Sequence, residues 1–179
     1  MPLLSTPPEL IRIANAIAKS KGRSILVGGA VRDHCMGRKS LKDFDVEIFG
    51  ISPEVLESVL QNFGNIHAVG KSFGVLKLKT SSAEYDFSLP RRENKAGKGH
   101  RGFMVRPDST MSYRDAASRR DFTVNSIGYD LLTKTLLDPF DGLGDIKHKI
   151  LRHVGPAFTE DPLRVLRAMQ FSARLEFKI

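Results

Sequence analysis

The sequence predicts an α+β fold, a mixed sheet with helices between some of its strands, and three patterns lead there. Apolar side chains at Leu10, Ile13, Ala14, Ile17 and Ala18 recur at three- and four-residue intervals, the stripe of a core-facing helix over 8–20. A short apolar run, 24–27, ends in Gly28-Gly29 and passes into a helical pattern over 30–36 that Gly37 closes. Over 43–49, Asp43, Asp45 and Glu47 alternate with Phe44, Val46 and Ile48, a strand with one acidic face. Further along, Val55, Leu56, Val59 and Leu60 space a helix over 53–63, residues 73–79 and 84–89 read as strands, and a last helix starts near Pro162. The stretch 91–110 contains Arg91, Arg92, Lys95, Lys98 and Arg101 among Gly97, Gly99 and Gly102, has no period, and reads as a long, basic, mobile loop.

A chain of 179 residues, 41% hydrophobic, buries one core and makes one domain with the beginning of a second. The 28 Lys and Arg against 20 Asp and Glu give a net charge of +8, which favours a polyanionic partner, although a merely solvated basic face gives the same count. Cys35 is the one cysteine, so an intramolecular disulfide and a multi-cysteine zinc site are both excluded and a reducing, cytoplasmic setting is expected. No basic start with an apolar run opens the sequence, and no apolar stretch is long enough for a helical membrane span.

Three groups of residues carry chemistry. Two glycines at a strand-to-helix turn let a phosphate approach the backbone, and Arg32 one turn on is placed to grip it; a plain tight turn with a surface arginine is the blander reading. Asp43 and Asp45, two apart on a strand, share a face and repel unless a cation lies between them. Mg²⁺ suits such a pair, because it takes one or two carboxylates and completes its shell with water and substrate phosphates. Asp86 lies between Tyr85 and Phe87 on a later strand; if that strand lies beside the first, three carboxylates meet as in two-metal phosphoryl-transfer sites.

These residues sit in a larger pattern. Leu26-Val27-Gly28-Gly29-Ala30-Val31-Arg32-Asp33, the Asp43/Asp45 pair, Arg119-Arg120-Asp121-Phe122-Thr123-Val124-Asn125 and Glu160-Asp161-Pro162-Leu163-Arg164-Val165-Leu166-Arg167 are similar, in order and spacing, to the motifs of class II tRNA nucleotidyltransferases and the related bacterial poly(A) polymerases. The turn at 138–145 resembles the hinge between that family's head and neck. The resemblance implies a polymerase-β-like head over 1–145, with a mixed, mostly antiparallel sheet, and the start of a helical neck over 146–179. It implies template-independent addition of C, C and A to tRNA 3′ ends from CTP and ATP, with Mg²⁺ held by Asp43 and Asp45; Asp86, placed by the strand pattern and not by the resemblance, is the third candidate catalytic carboxylate. Gly28, Gly29 and Arg32 match the residues at the triphosphate. Arg120, Asp121 and Asn125 match the motif that holds the nucleotide, and Asp161, Arg164 and Arg167 match the one that reads its base.

Asp161 and Arg164, three apart on a helix, can present an acceptor and a donor to one base edge. Asp161 before Pro162 is also a helix cap, and a capping aspartate keeps a second oxygen to offer. Gln170 stands where the family usually has arginine, losing the charge and the planar fork, and Ser126 replaces the usual alanine. Gly70-Lys71-Ser72-Phe73-Gly74-Val75 resembles the tRNA branch, and the full length of 91–118 favours complete CCA addition over CC-only, A-only or poly(A) polymerase-like activity. A catalytically incomplete RNA- or nucleotide-binding module is the competing class. Because family members continue past this point, Leu163, Leu166 and Met169 are expected to leave an apolar helix face exposed, with self-association or low stability as its result.

Overall fold

A computed structural model describes residues 4–38, 43–69, 74–95 and 103–179. The first helix, α1 (Pro8–Lys19), starts on a proline where no N–H is needed and buries Leu10, Ile13, Ala14 and Ile17, the stripe its spacing predicts. There follow β1 (Arg23–Val27), α2 (Gly29–Cys35), β2 (Phe44–Phe49) and α3 (Pro53–Leu60). Three more strands, β3 (Asn65–Val69), β4 (Val75–Lys79) and β5 (Glu84–Ser88), precede a separate hairpin of β6 (Arg91–Lys95) and β7 (Phe103–Pro107). The chain ends with α4 (Tyr113–Ala117), β8 (Gly128–Asp130), β9 (Leu136–Leu137), α5 (Gly142–His148) and α6 (Leu163–Leu175).

The main sheet runs β3-β4-β5-β2-β1-β8-β9; β2 and β5 are parallel and the other neighbours antiparallel. Alternation divides its faces. Leu26, Val46, Ile48, Tyr85 and Phe87 join α1 and α3 in the largest core cluster, while Ile25, Val27 and Phe49 pack with Ala116 of α4 on the other side. Asp45, Glu47, Asp86 and Ser88 fall on that second face, because each is offset by one residue from a core-facing neighbour.

Several expectations are corrected. The loop expected over 91–110 contains the β6–β7 ladder, from Arg91↔Pro107 to Lys95↔Phe103. A main-chain ladder does not require the apolar alternation by which strands are read, so the sequence showed no period. Gly97, Lys98, Gly99, Arg101 and Gly102 lie outside the described residues, as do Gly70, Lys71, Ser72 and Phe73. Asp43 is not in the strand but one residue before it, in the left-handed region at φ 56°. The helix expected to reach 63 stops at Leu60, and the Asn62 amide then donates to the carbonyls of Ser58 and Val59. The strands β3, β8 and β9 were not predicted.

In α6, Ala168, Phe171 and Leu175 pack with Phe122, Val124 and Leu151 in a third cluster. Leu163, Val165, Leu166 and Met169 are 48–64% exposed, so the apolar outer face expected there is present. Among the described residues no helix is long and apolar enough to cross a membrane.

Candidate active site

Val27 and Asp45 are register partners across β1 and β2, which sets the glycine turn after β1 beside the Asp45 carboxylate. Gly28 has φ 74°, and a Cβ there would come within 3.2 Å of Asp45 Oδ2. The positive φ favours glycine at this position, and any side chain there would press on the Asp45 carboxylate. On the other side of β2, Asp45 is the parallel partner of Asp86, so the strand adjacency expected for these carboxylates is present.

The three carboxylates do not converge equally. Asp43 and Asp45 line the main cavity, whereas Asp86 lies off its wall and accepts a hydrogen bond from Lys77 Nζ at 3.0 Å. Among the described residues no three His, Cys, Asp or Glu side chains group closely enough to hold a metal ion, so the gathering reduces to a pair with Asp86 behind it. Asp45 is open to the cavity, yet crowding by protein, then the negative charge of Asp86, with a smaller push from Asp43, raises its carboxyl above the ordinary value; Arg120 and Lys77 oppose the shift. Glu47, on the same face, is buried and accepts from Arg120 at 3.1 Å.

The cavity measures about 910 Å³. Besides the two aspartates, its walls contain Gly28, Gly29 and Arg32 from the β1–α2 turn, and Arg120, Asp121 and Asn125 from the segment after α4. Asp161, Arg164 and Arg167 line it from the start of α6. One hydrogen-bonded chain ties these segments together. Arg32, 3% exposed, donates to Asp33 Oδ1 at 2.8 and 2.9 Å and to Asn125 Oδ1 at 2.8 Å. Asn125 donates to Asp121 Oδ1 at 3.0 Å, and Arg167 Nε donates to Asp121 Oδ2 at 2.8 Å. Arg164 is fixed by a bond to the Arg119 carbonyl at 2.9 Å, and Asp161 Oδ1 accepts the Leu163 N–H at 2.9 Å, the capping expected of it. Behind Arg120 and Arg164 lies a second cavity of about 300 Å³, lined also by Glu47, Ser88, Arg91 and Arg119.

The turn bearing Asn125 is braced from below. Asp145, 2% exposed, accepts from Thr123 Oγ1 at 2.6 Å and from Arg152 Nη2 at 3.0 Å. Asp145→Ala leaves the buried Thr123 hydroxyl only its long 3.4 Å bond to the Arg152 carbonyl and removes the acceptor of the Arg152 guanidinium, and thermal denaturation should show a loss of about 1–3 kcal/mol; an unchanged midpoint would contradict this bracing role.

Four cavity residues were not singled out from the sequence as site residues: Asp33, Arg38, Phe171 and Arg174. A pattern for two of them was there. Arg164, Arg167, Phe171 and Arg174 are spaced three, four and three apart, one stripe of a helix, but the apolar stripe through Leu163, Leu166 and Met169 drew the reading instead.

A family profile described as the poly A polymerase head domain matches residues 24–152. Over 153 residues the chain is 46% identical to the multifunctional CCA protein of Xylella fastidiosa (strain 9a5c), a match covering 86% of this chain and 35% of that protein. The multifunctional CCA protein of Stenotrophomonas maltophilia (strain K279a) is 46% identical over 149 residues, with 83% and 35% covered. The chain thus spans about a third of the length of these curated relatives. Among solved structures, the Bacillus stearothermophilus CCA-adding enzyme in complex with CTP superposes with a TM-score of 0.80 at 30% identity, over 97% of this chain and 41% of that one. A tRNA nucleotidyltransferase complexed with a primer tRNA and an incoming ATP analog gives a TM-score of 0.73 at 30% identity, over 93% and 46%. The profile takes in well over half of the 179 residues, including the glycine turn, the aspartate pair and the Arg-Arg-Asp segment, and the chain belongs to the poly A polymerase head domain family.

Proposed function

We propose that this chain is the catalytic head, with the first part of the neck after residue 145, of a CCA-adding tRNA nucleotidyltransferase. The 3′-hydroxyl of the tRNA attacks the α-phosphorus of CTP or ATP, the bond to the β-phosphate oxygen breaks, and pyrophosphate leaves. The observation that carries the reading is the Asp43/Asp45 pair beside the Gly28 turn, in a cavity whose remaining walls are rich in guanidinium groups.

The residues fit Mg²⁺. Two carboxylates suffice for an ion that draws its other ligands from water and phosphate, and the crowding of Asp45 by protein and by the charges of Asp86 and Asp43, only partly offset by Arg120 and Lys77, is a strain that a cation would relieve. Asp43 and Asp45 would hold the ion, which supplies Lewis-acid stabilisation of charge on the phosphates. Gly28 and Gly29 admit the triphosphate, and Arg32, fixed by Asp33 and Asn125, meets it with a preset charge. Arg120, Asp121 and Asn125 hold the nucleotide, and Arg167 is aimed by its bond to Asp121. Asp161 and Arg164 offer an acceptor and a donor to the base edge. The RNA end approaches through the second cavity, whose lining arginines, Arg91 and Arg119 among them, supply positive charge for its phosphates. The lone thiol, Cys35, is pushed up to about 11 by burial, so it is not the nucleophile at neutral pH.

The test is extension of a tRNA ending at its discriminator base, with labelled CTP, ATP and Mg²⁺. Two CMP and then one AMP are expected; a run of AMP from ATP alone would indicate poly(A) synthesis, and no incorporation by the full natural gene product would contradict the enzyme reading.

A further inference from the structure

The nucleotide cavity contains a cationic cluster beyond the motif residues. Three guanidinium carbons surround the Phe171 ring, Arg32 at 5.2 Å, Arg167 at 5.1 Å and Arg174 at 5.0 Å from its centroid. Arg38 joins them through Asp33, which it reaches at 3.4 Å while Arg32 holds the same oxygen at 2.8 Å. Asp33 and Asp121 thus answer Arg32, Arg38 and Arg167, and Arg174 is held by the ring. Around one ring of this kind, no two guanidinium carbons are more than about 10 Å apart, within the Debye length of ~10 Å at 0.1 M salt, so their charges repel one another. Burial lowers the pKa of Arg32, and the charges of Arg174 and Arg38 add to that effect, while Asp33 opposes it. A site that gathers cations against their repulsion is complementary to a polyanion.

Its place in the cavity selects which part of a nucleotide it receives. The reacting end is fixed at Gly28 and Asp45, Arg32 lies a turn along α2, and Arg38 lies beyond the end of that helix. Arg174 approaches Arg32 from α6 across the shared ring, one helical turn past Gln170, which is exposed and uncharged where an arginine was expected. We infer that Arg174, set on the Phe171 ring, and Arg38 bind the β- and γ-phosphates of the incoming nucleoside triphosphate and hold the departing pyrophosphate. This assignment rests on the nucleotidyl-transfer reading of the cavity and adds two residues to it.

Equilibrium binding of CTP, CMP and inorganic pyrophosphate to the chain, each with Mg²⁺, tests it. Arg174→Gln should weaken CTP and pyrophosphate roughly tenfold, the loss of one charge-assisted contact, and leave CMP within about twofold. Arg174→Lys should recover part of the loss, and Arg38→Gln, outside α6, should lower the CTP-to-CMP affinity ratio in the same direction even if the Arg174 variants fold poorly. A ratio unchanged in both the Arg174→Gln and Arg38→Gln proteins, with wild-type CTP binding intact, overturns this assignment alone. Failure of the wild-type chain to bind CTP overturns the nucleotidyl-transfer reading and this assignment with it.

Discussion

Asp45→Asn is expected to abolish nucleotide transfer and, in metal-free buffer, to raise the thermal midpoint. The carboxyl of Asp45 is held above its ordinary value of 3.8 by crowding and by Asp86 and Asp43, so the folded chain binds a proton more readily there than the unfolded chain does. Stability from this group is therefore greatest below the ordinary value and falls as pH rises through the raised one. At neutral pH the ionised side chain is a liability that the neutral amide removes, and the gain should be small, because Asp45 is open to solvent at the cavity. Mg²⁺ relieves the same repulsion, so it should stabilise the wild type and leave the variant unmoved. Losing a metal ligand takes away several kcal/mol of transition-state stabilisation, a fall of ~10³-fold or more in single-turnover incorporation. Activity within tenfold of wild type, or a lower midpoint at neutral pH, would contradict this role.

The second large effect concerns base choice. Asp161 spends one oxygen on the Leu163 N–H, and Arg164 is anchored on the Arg119 carbonyl, so both side chains face the cavity from fixed positions. A site that discriminates by hydrogen bonds loses that discrimination when a partner is removed. Asp161→Asn keeps a capping oxygen while turning an acceptor into a donor, and Arg164→Ala removes the donor. The kcat/KM preference for CTP over UTP should fall by about 10²-fold in each, a modest share of the ~10⁴-fold that hydrogen-bonded sites reach. A preference unchanged in both variants would show that the base is read elsewhere.

Much of this arrangement was legible because the motifs are local. The glycine turn, the Asp43/Asp45 pair and the Arg-Arg-Asp segment each lie within a few residues, and the cavity brings them together. The placement of Asp86 depended on which strand paired with β2, and the parallel register Asp45↔Asp86 followed the expected adjacency. Its partner Lys77 was not legible, because that contact is set by β4–β5 pairing. The β6–β7 hairpin left no mark because its ladder is made by the main chain. Glu47 read as one of three acids on a shared face with Asp43 and Asp45, but Arg120, 73 residues away in sequence, pairs with it. Arg174 and Phe171 were readable as a stripe on α6 and were passed over for the apolar stripe beside them.

Anomalous diffraction from crystals soaked with Mn²⁺ and CTP tests the central claim most directly. The account predicts a metal peak within about 2–2.5 Å of carboxylate oxygens from both Asp43 and Asp45, with the triphosphate at the Gly28–Gly29 turn. A peak away from that pair, or a triphosphate bound elsewhere in the molecule, would contradict it.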